Sequence, residues 1–386
     1  MPANISDAFG IAYTAMPRGH HRSREAGFMH YAVQEGDTLW LVAQRYRSDY
    51  RMIAQANSLV EPYAIRPGQV LHIPRKYRLI GFISDYASTE GIADALRAPD
   101  PLNEVVYSFL HVQPDGDVHP GAQDPAVQLL RARRTRVLAG VTNQAEAFYS
   151  RESADAALLA ADLRSRLSGL IVDAAQSNCL DGAHLDFQHI TNEHWGAMAQ
   201  LASETRSRFA LLSPNYTLSV AIPHNWAAAS LDLERMAECV DLMIFEGMEK
   251  GARDPEGPPT RLAWLQRNVE SALESVGPSK LAAAIGVYGL DWAEGGGVAY
   301  ITSDAAARTA SETGSRIIRD TDSAAAKFEY RDSRGEQHRV WYEDFISFSA
   351  KLKVLESLGV TKIALWRLGA LPTEILEAAS GAWVWG

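Results

Sequence analysis

The stretch Asp181-Gly182-Ala183-His184-Leu185-Asp186-Phe187-Gln188 decides how most of this chain reads. Ala183, Leu185 and Phe187 alternate with His184, Asp186 and Gln188, which is the period of two of a β-strand with one set of side chains on each face. One face is apolar and the other polar. Such a strand suits a parallel sheet closed into a barrel, with the polar set turned to the interior and the apolar set under a helical layer.

Working outward, apolar β-rich runs at 79–84, 105–112, 136–142, 217–223, 240–245, 281–288 and 362–366 join 183–187, and Ala- and Leu-rich helical stretches separate most of them. Eight buried strands spaced by helices predict the α/β class and a (β/α)8 TIM barrel over 77–386, with its chemistry at the C-terminal strand ends. The stretch 292–341 is too long for a simple crossover. Gly295-Gly296-Gly297 reads as a loop, and 328–336 as a hairpin turning at Arg334-Gly335. A small α+β insertion between strands seven and eight is expected there.

Upstream, 29–76 reads as a compact βααβ unit. Met29 to Val33 alternates as a strand, Gln34-Glu35-Gly36 turns, and Asp37 is placed to cap a helix starting at Thr38. A second helix runs from Arg51 to Asn57, a residue that tolerates the left-handed region, and Val70 to Pro74 closes the unit. Residues 1–28 read as a flexible lead. Met1 to Met16 has no Lys or Arg and no unbroken apolar run, so no ordinary secretory signal is expected. The expected location is the cytoplasm, or the cell wall by a non-standard route.

The chain has 386 residues with a formal net charge of −10 and 47% hydrophobic residues. That composition excludes disorder along the whole chain, and the charge argues against nucleic acid as a partner. No run approaches the ~20 apolar residues of a membrane span. Cys179 and Cys239 are the two cysteines, expected as buried free thiols. No metal pattern, phosphate loop or Gly-x-Ser-x-Gly elbow occurs, and no cofactor is expected.

The small unit resembles the LysM family through Tyr31-x-Val33-x-x-Gly36-Asp37-Thr38-Leu39-Trp40, Ile53-x-x-Ala56-Asn57 and Ile65-x-Pro67-Gly68-Gln69-x-Leu71-x-Ile73-Pro74. The resemblance implies binding of N-acetylglucosamine-containing glycans such as peptidoglycan or chitin. By position it implies a groove at Gly36, Asp37, Thr38 and Ser58 to Val60; Gly36 and Asp37 equally serve to build the turn and cap.

The large unit, from 78 to about 373, resembles glycoside hydrolase family 18, in particular the spore-cortex-lytic branch that joins LysM modules to the barrel. Gly286-x-Tyr288-Gly289-x-Asp291-Trp292, Val340-Trp341-Tyr342-Glu343-Asp344 and Trp366-x-Leu368-Gly369 carry it, together with 181–188. The family cleaves β-1,4 links beside N-acetylhexosamine, with the substrate's own acetamide as nucleophile. Its strand-four signature is Asp-Gly-x-Asp-x-Asp-x-Glu. By that resemblance Asp186 orients the acetamide and Asp181 is the first Asp. Gln188 stands where Glu protonates the leaving oxygen, and an amide has no proton to give near neutral pH. At strand six the family's Met-x-Tyr-Asp becomes Met243-Ile244-Phe245-Glu246, and His184 takes the middle Asp or Asn position. Trp366 matches the floor of the sugar site, Tyr288 lines the cleft, and Trp226 and Trp292 line it or pack in the core. Glu193, on the loop after strand four, either reaches the site or supports a helix N-terminus.

The leading expectation is a binder of N-acetylglucosamine glycans, peptidoglycan first, with a degenerate barrel site that has lost hydrolysis. An alternative is an N-acetylglucosaminidase, active or inactivated by a Glu-to-Gln substitution. A third is a wall-docking component of a phage-tail or secretion assembly, which adds protein partners.

Overall fold

The computed structural model describes residues 28–380 except 47, 49, 75–76, 100, 121–124, 126, 146–147, 250, 252–253 and 370. The lead expected over 1–28 therefore lies outside the described residues up to position 27. No helix among the described residues is long and apolar enough to cross a membrane.

The first unit pairs Phe28–Ala32 antiparallel with Val70–Pro74 and packs helices Leu39–Arg45 and Tyr50–Ala56 on the hairpin. Val33, Leu39, Val42, Ile53, Leu71 and Ile73 form its core. The helix cap differs from the sequence reading. Thr38 is the N-cap and accepts from the Leu41 amide at 3.2 Å. Asp37 instead takes the Gln34 amide at 2.7 Å, the Tyr31 hydroxyl and an ion pair with Arg45 at 3.4 Å. The Tyr31 hydrogen bond is the main cause that holds its carboxyl below the usual range. Gly36 has φ +86°, as the turn requires. At the end of the second helix it is Ser58, with φ +55°, that enters the left-handed region. Asn57 uses its amide to grip the His72 backbone, N–H at 2.7 Å and C=O at 2.7 Å.

The second unit is a closed barrel of eight parallel strands: Arg78–Ile83, Glu104–Val112, Arg136–Thr142, Gly182–Asp186, Thr217–Ile222, Leu242–Glu246, Leu281–Gly286 and Lys362–Trp366. The first strand pairs with both the second and the last, which closes the ring. Strand parity sorts the side chains. Ile80, Val106, Leu138, Leu242, Ile244, Ala282, Ala284 and Ala364 fill the interior. Leu79, Val105, Val137, Leu185, Val220, Met243, Ile285 and Leu365 turn outward to the helices, in the larger core. At the N-terminal end, buried Glu104 meets Arg78 at 3.1 Å and Arg136 at 3.6 Å, so that mouth is plugged by an ionic group. Gly182 has no alternative: a Cβ there would lie 1.9 Å from the Thr217 carbonyl oxygen.

The insertion begins at Gly289, with two residues between it and the end of the seventh strand, three residues earlier than the sequence reading. Its five-stranded antiparallel sheet runs in the order Val298–Ile301, Gly289–Ala293, Gln337–Tyr342, Ala326–Arg331, Ile318–Arg319. Helix Ser303–Glu312 packs Ala306 and Ala310 against Phe328, Val340 and Tyr342. The hairpin closes through Gly335, at φ +84°. Both cysteines are free thiols, but neither is buried: Cys179 is exposed, in the turn before the fourth strand, and Cys239, the last residue of helix Leu233–Cys239, is half-buried.

Asp94, on helix Ser88–Arg97, latches the closed ring. Its carboxylate accepts from the amides of Gly369 at 2.7 Å and Leu371 at 2.9 Å, just past the last strand, and pairs with Arg97 at 2.7 Å. Hydrogen bonds to a buried charge carry about 1.5–3 kcal/mol each. Asp94→Ala is therefore expected to lower unfolding stability by about 3 kcal/mol, measured by urea denaturation, with the secondary structure of the native state retained.

Candidate active site

The polar face of the fourth strand meets the polar end of the sixth across a fifth strand whose inward residues, Ser219 and Ala221, are small. That leaves room for long side chains to meet. Gln188, two residues past Asp186, spans the gap. Its carboxamide nitrogen donates to Asp186 Oδ1 at 2.7 Å and to Glu246 Oε1 at 2.5 Å. Both amide hydrogens are thus used on carboxylates. Tyr149 donates its hydroxyl to the other oxygen of Asp186 at 3.3 Å.

Asn143, fully buried after the third strand, sets this arrangement. Its Oδ1 accepts the Gln188 amide at 2.8 Å, and its Nδ2 donates to the carbonyls of Gln188 at 2.9 Å and Ser150 at 2.8 Å. One side chain thereby fixes the backbone of Gln188 and the end of the loop that carries Tyr149.

Burial raises the pKa of both acids. For Asp186 it outweighs the opposing hydrogen bonds from Gln188 and Tyr149. For Glu246 burial and then the Asp186 charge push the carboxyl well above the usual range, against hydrogen bonds from Gln188 and the His224 backbone. His184 is buried, with Nδ1 2.9 Å from Ser219 Oγ, and burial lowers its pKa to about 3. It is a neutral polar group on the interior wall, edge-on to Phe82. Its Nε2 is without a hydrogen-bond partner.

A cavity of about 440 Å³ opens at this end, with Phe82, Tyr149, His184, Asp186, Tyr288 and Trp366 in its wall. Tyr288 stands edge-on to Trp366 and to Tyr300 of the insertion, with ring centres 5.5 and 5.3 Å apart. These rings offer flat apolar faces beside half-buried acids, an arrangement suited to a pyranose. Gln188 and Glu246 do not line the cavity; Asp186 does.

Two sequence expectations need correction. Asp181 lies at the opposite, N-terminal end of the fourth strand, where its carboxylate takes the Val137 amide at 3.0 Å. Five residues of extended chain, about 16 Å, separate it from Asp186. Phe245 has outward parity and packs on Trp264 under the helices, ring centres 5.8 Å apart, so it does not reach the cavity. Glu193 is exposed in the first turn of helix Asn192–Leu212, and Trp226 and Trp292 are buried and do not line the cavity, Trp292 packing in the cluster of Tyr288 and Trp366. Gly36, Asp37 and Thr38 lie together in the first unit's turn, and Val60 is 80% exposed. Sequence reading missed Asn143, Tyr149, Tyr86 and Arg367. The rule that chemistry sits at C-terminal strand ends points to Asn143 and Arg367; nothing local marks Tyr149. Among the described residues Asp332, Glu336 and His338 bring possible metal-ligand atoms within 4.8 Å of one another. Hairpin-turn amides, Arg334, Gly295 and Asp291 already engage these groups.

A closed (β/α)8 barrel with an aromatic-walled cavity and paired acids at its C-terminal mouth, preceded by a βααβ unit, has the architecture of a glycan-active protein with a LysM domain. The chain belongs to glycosyl hydrolases family 18, which residues 78–370 match; residues 31–74 match the LysM domain. It is 24% identical over 415 residues to the cortical fragment-lytic enzyme of Bacillus subtilis, covering 88% of this chain and 94% of that one. The crystal structure of the spore cortex-lytic enzyme SleL of Bacillus megaterium superposes with a TM-score of 0.70 at 21% identity, over 92% of this chain and 86% of that one. A chitinase from Chromobacterium violaceum gives 0.69 at 20% identity, over 79% and 98%.

A carboxyl whose pKa is raised by folding binds its proton more tightly in the native state. Its stability contribution is present below the ordinary Glu value and is lost as pH rises through the native one. The stability of the wild-type chain relative to Glu246→Gln is therefore expected to fall, by at most about 1.4 kcal/mol per pH unit, as pH climbs from near 4.5. Urea titrations of both proteins from pH 4 to 8 check this; parallel curves would refute it.

Proposed function

We propose that this chain binds N-acetylglucosamine polymers, peptidoglycan first, through its LysM domain and its barrel cavity, and that the barrel no longer hydrolyses them. The carrying observation is the state of Gln188: both hydrogens of its carboxamide are donated to Asp186 and Glu246. A general acid must release a proton to the leaving oxygen, and a carboxamide in this position holds its neighbours instead. Burial and the Asp186 charge raise the Glu246 carboxyl well above its usual range, but its Oε1 accepts from Gln188 and it is not among the residues lining the cavity, which speaks against its replacing the missing acid.

The remaining apparatus supports binding. Trp366 and Tyr288 supply ring faces, and Asp186 presents a carboxyl supported by Tyr149. Relatives named as a cortical fragment-lytic enzyme and a spore cortex-lytic enzyme support peptidoglycan over other glycans. Phe245 turns outward onto Trp264 and brings no hydroxyl to the cavity, so the departure at strand six stands beside the one at Gln188.

Binding and hydrolysis of N-acetylglucosamine oligomers and purified peptidoglycan, measured side by side for this chain and Gln188→Glu, test the reading. The wild-type chain is expected to bind both and release no reducing ends. The Glu variant is expected to cleave, at a rate about 10²–10⁴ times the wild-type background, the usual contribution of a positioned acid. Cleavage by the wild-type chain at the variant's rate would overturn the loss of hydrolysis; absence of binding would overturn the whole reading.

A further inference from the structure

Arg367, the residue after Trp366, belongs to the cavity wall but to none of the acid pairs described above. Its guanidinium lies over the Tyr86 ring, 4.8 Å from the centroid, and Tyr86 is 67% exposed at the same cavity. Stacking covers the flat face of the group and leaves its N–H edge free. Among the described residues no carboxylate pairs with it. Asp85, beside Tyr86, accepts the Tyr86 backbone amide at 2.8 Å with its other oxygen 3.1 Å from His111 Nε2, and Asp186 is engaged by Gln188 and Tyr149. Glu90, whose Cβ lies near the same Gly369 position as an Arg367 nitrogen, forms no ion pair with it. A free cation is also not a by-product of basic composition, since the chain has 37 Lys and Arg against 47 Asp and Glu.

We infer that Arg367, propped on Tyr86 at the edge of the cavity, receives a carboxylate carried by the bound glycan, so that the barrel selects an acidic N-acetylhexosamine polymer over a neutral one. A guanidinium edge presents two parallel N–H donors at the spacing of a carboxylate's oxygens, whereas a sugar hydroxyl uses only one. The inference rests on the glycan-binding reading and adds to it the charge of the ligand. The carboxylate can come from a lactyl ether on the hexosamine or from a neighbouring hexuronate.

Calorimetry on the full chain with four tetrasaccharides separates these cases: neutral N-acetylglucosamine units; the same with free lactyl carboxylates on alternate units; the lactyl form amidated; and N-acetylglucosamine alternating with hexuronate. At least one acidic form is expected to bind about tenfold tighter than the neutral and amidated forms, as a partly exposed charge-assisted pair allows. The preferred acid identifies the carboxylate's source. Arg367→Gln should bring that ratio below about twofold, and Arg367→Lys should keep only part of it, because an ammonium retains charge without the planar fork. Arg367 lines the barrel cavity, so a change in the ratio on its substitution reports on the barrel. Equal binding of all four by the wild-type chain, which needs no variant to fold, would overturn the inference, as would an unchanged ratio in Arg367→Gln. Binding of none would overturn the glycan reading itself, and this inference with it.

Discussion

Two carboxyl groups, Asp186 and Glu246, stand half-buried at one end of a closed barrel, and a single carboxamide lies between them. Buried acids close together repel and resist ionisation unless donors face them. Gln188 supplies two donors from one nitrogen, and Tyr149 supplies a third. Asn143 makes this possible by holding the Gln188 backbone on both its N–H and C=O. The small fifth-strand residues Ser219 and Ala221 leave space for the bridge. Chemistry at this end of the barrel follows from what that bridge can and cannot release.

The rest of the barrel supports the bridge in layers. Aliphatic side chains fill the middle and keep water from reaching the acids from below. Glu104 with Arg78 and Arg136 closes the far mouth, and between the two polar ends the neutral His184–Ser219 pair is set among the aliphatic side chains. Asp94 ties the first helix to the chain leaving the last strand, where Trp366 and Arg367 are placed. The insertion contributes Tyr300 to the cavity, which links its antiparallel sheet to the sugar-facing wall.

Most of the fold was legible before any coordinates, because period-two runs interrupted by helical stretches carry their own geometry. The insertion was legible as a break in that rhythm, although its first strand, Gly289–Ala293, merges in sequence with the seventh barrel strand and shifts the boundary. The errors have a shared cause. Asp181 and Asp186 are close in sequence, yet an extended chain carries them to opposite ends of the barrel. Phe245 and Glu246 are adjacent, yet strand alternation sends one to the helices and the other inward. Asp37 and Thr38 compete for one cap, and Tyr31 and Arg45 draw Asp37 away from it.

By itself the sequence determined the two units, the eight strands, the family and the inward polar face of the fourth strand, since each depends on periodicity or local motif. Only the tertiary structure decided which polar groups touch. Gln188 reaches Glu246 across 58 positions of chain, and Arg367 meets Tyr86 across an even longer separation. Contacts at such range are set by barrel closure and strand register, and these leave no pattern in neighbouring residues.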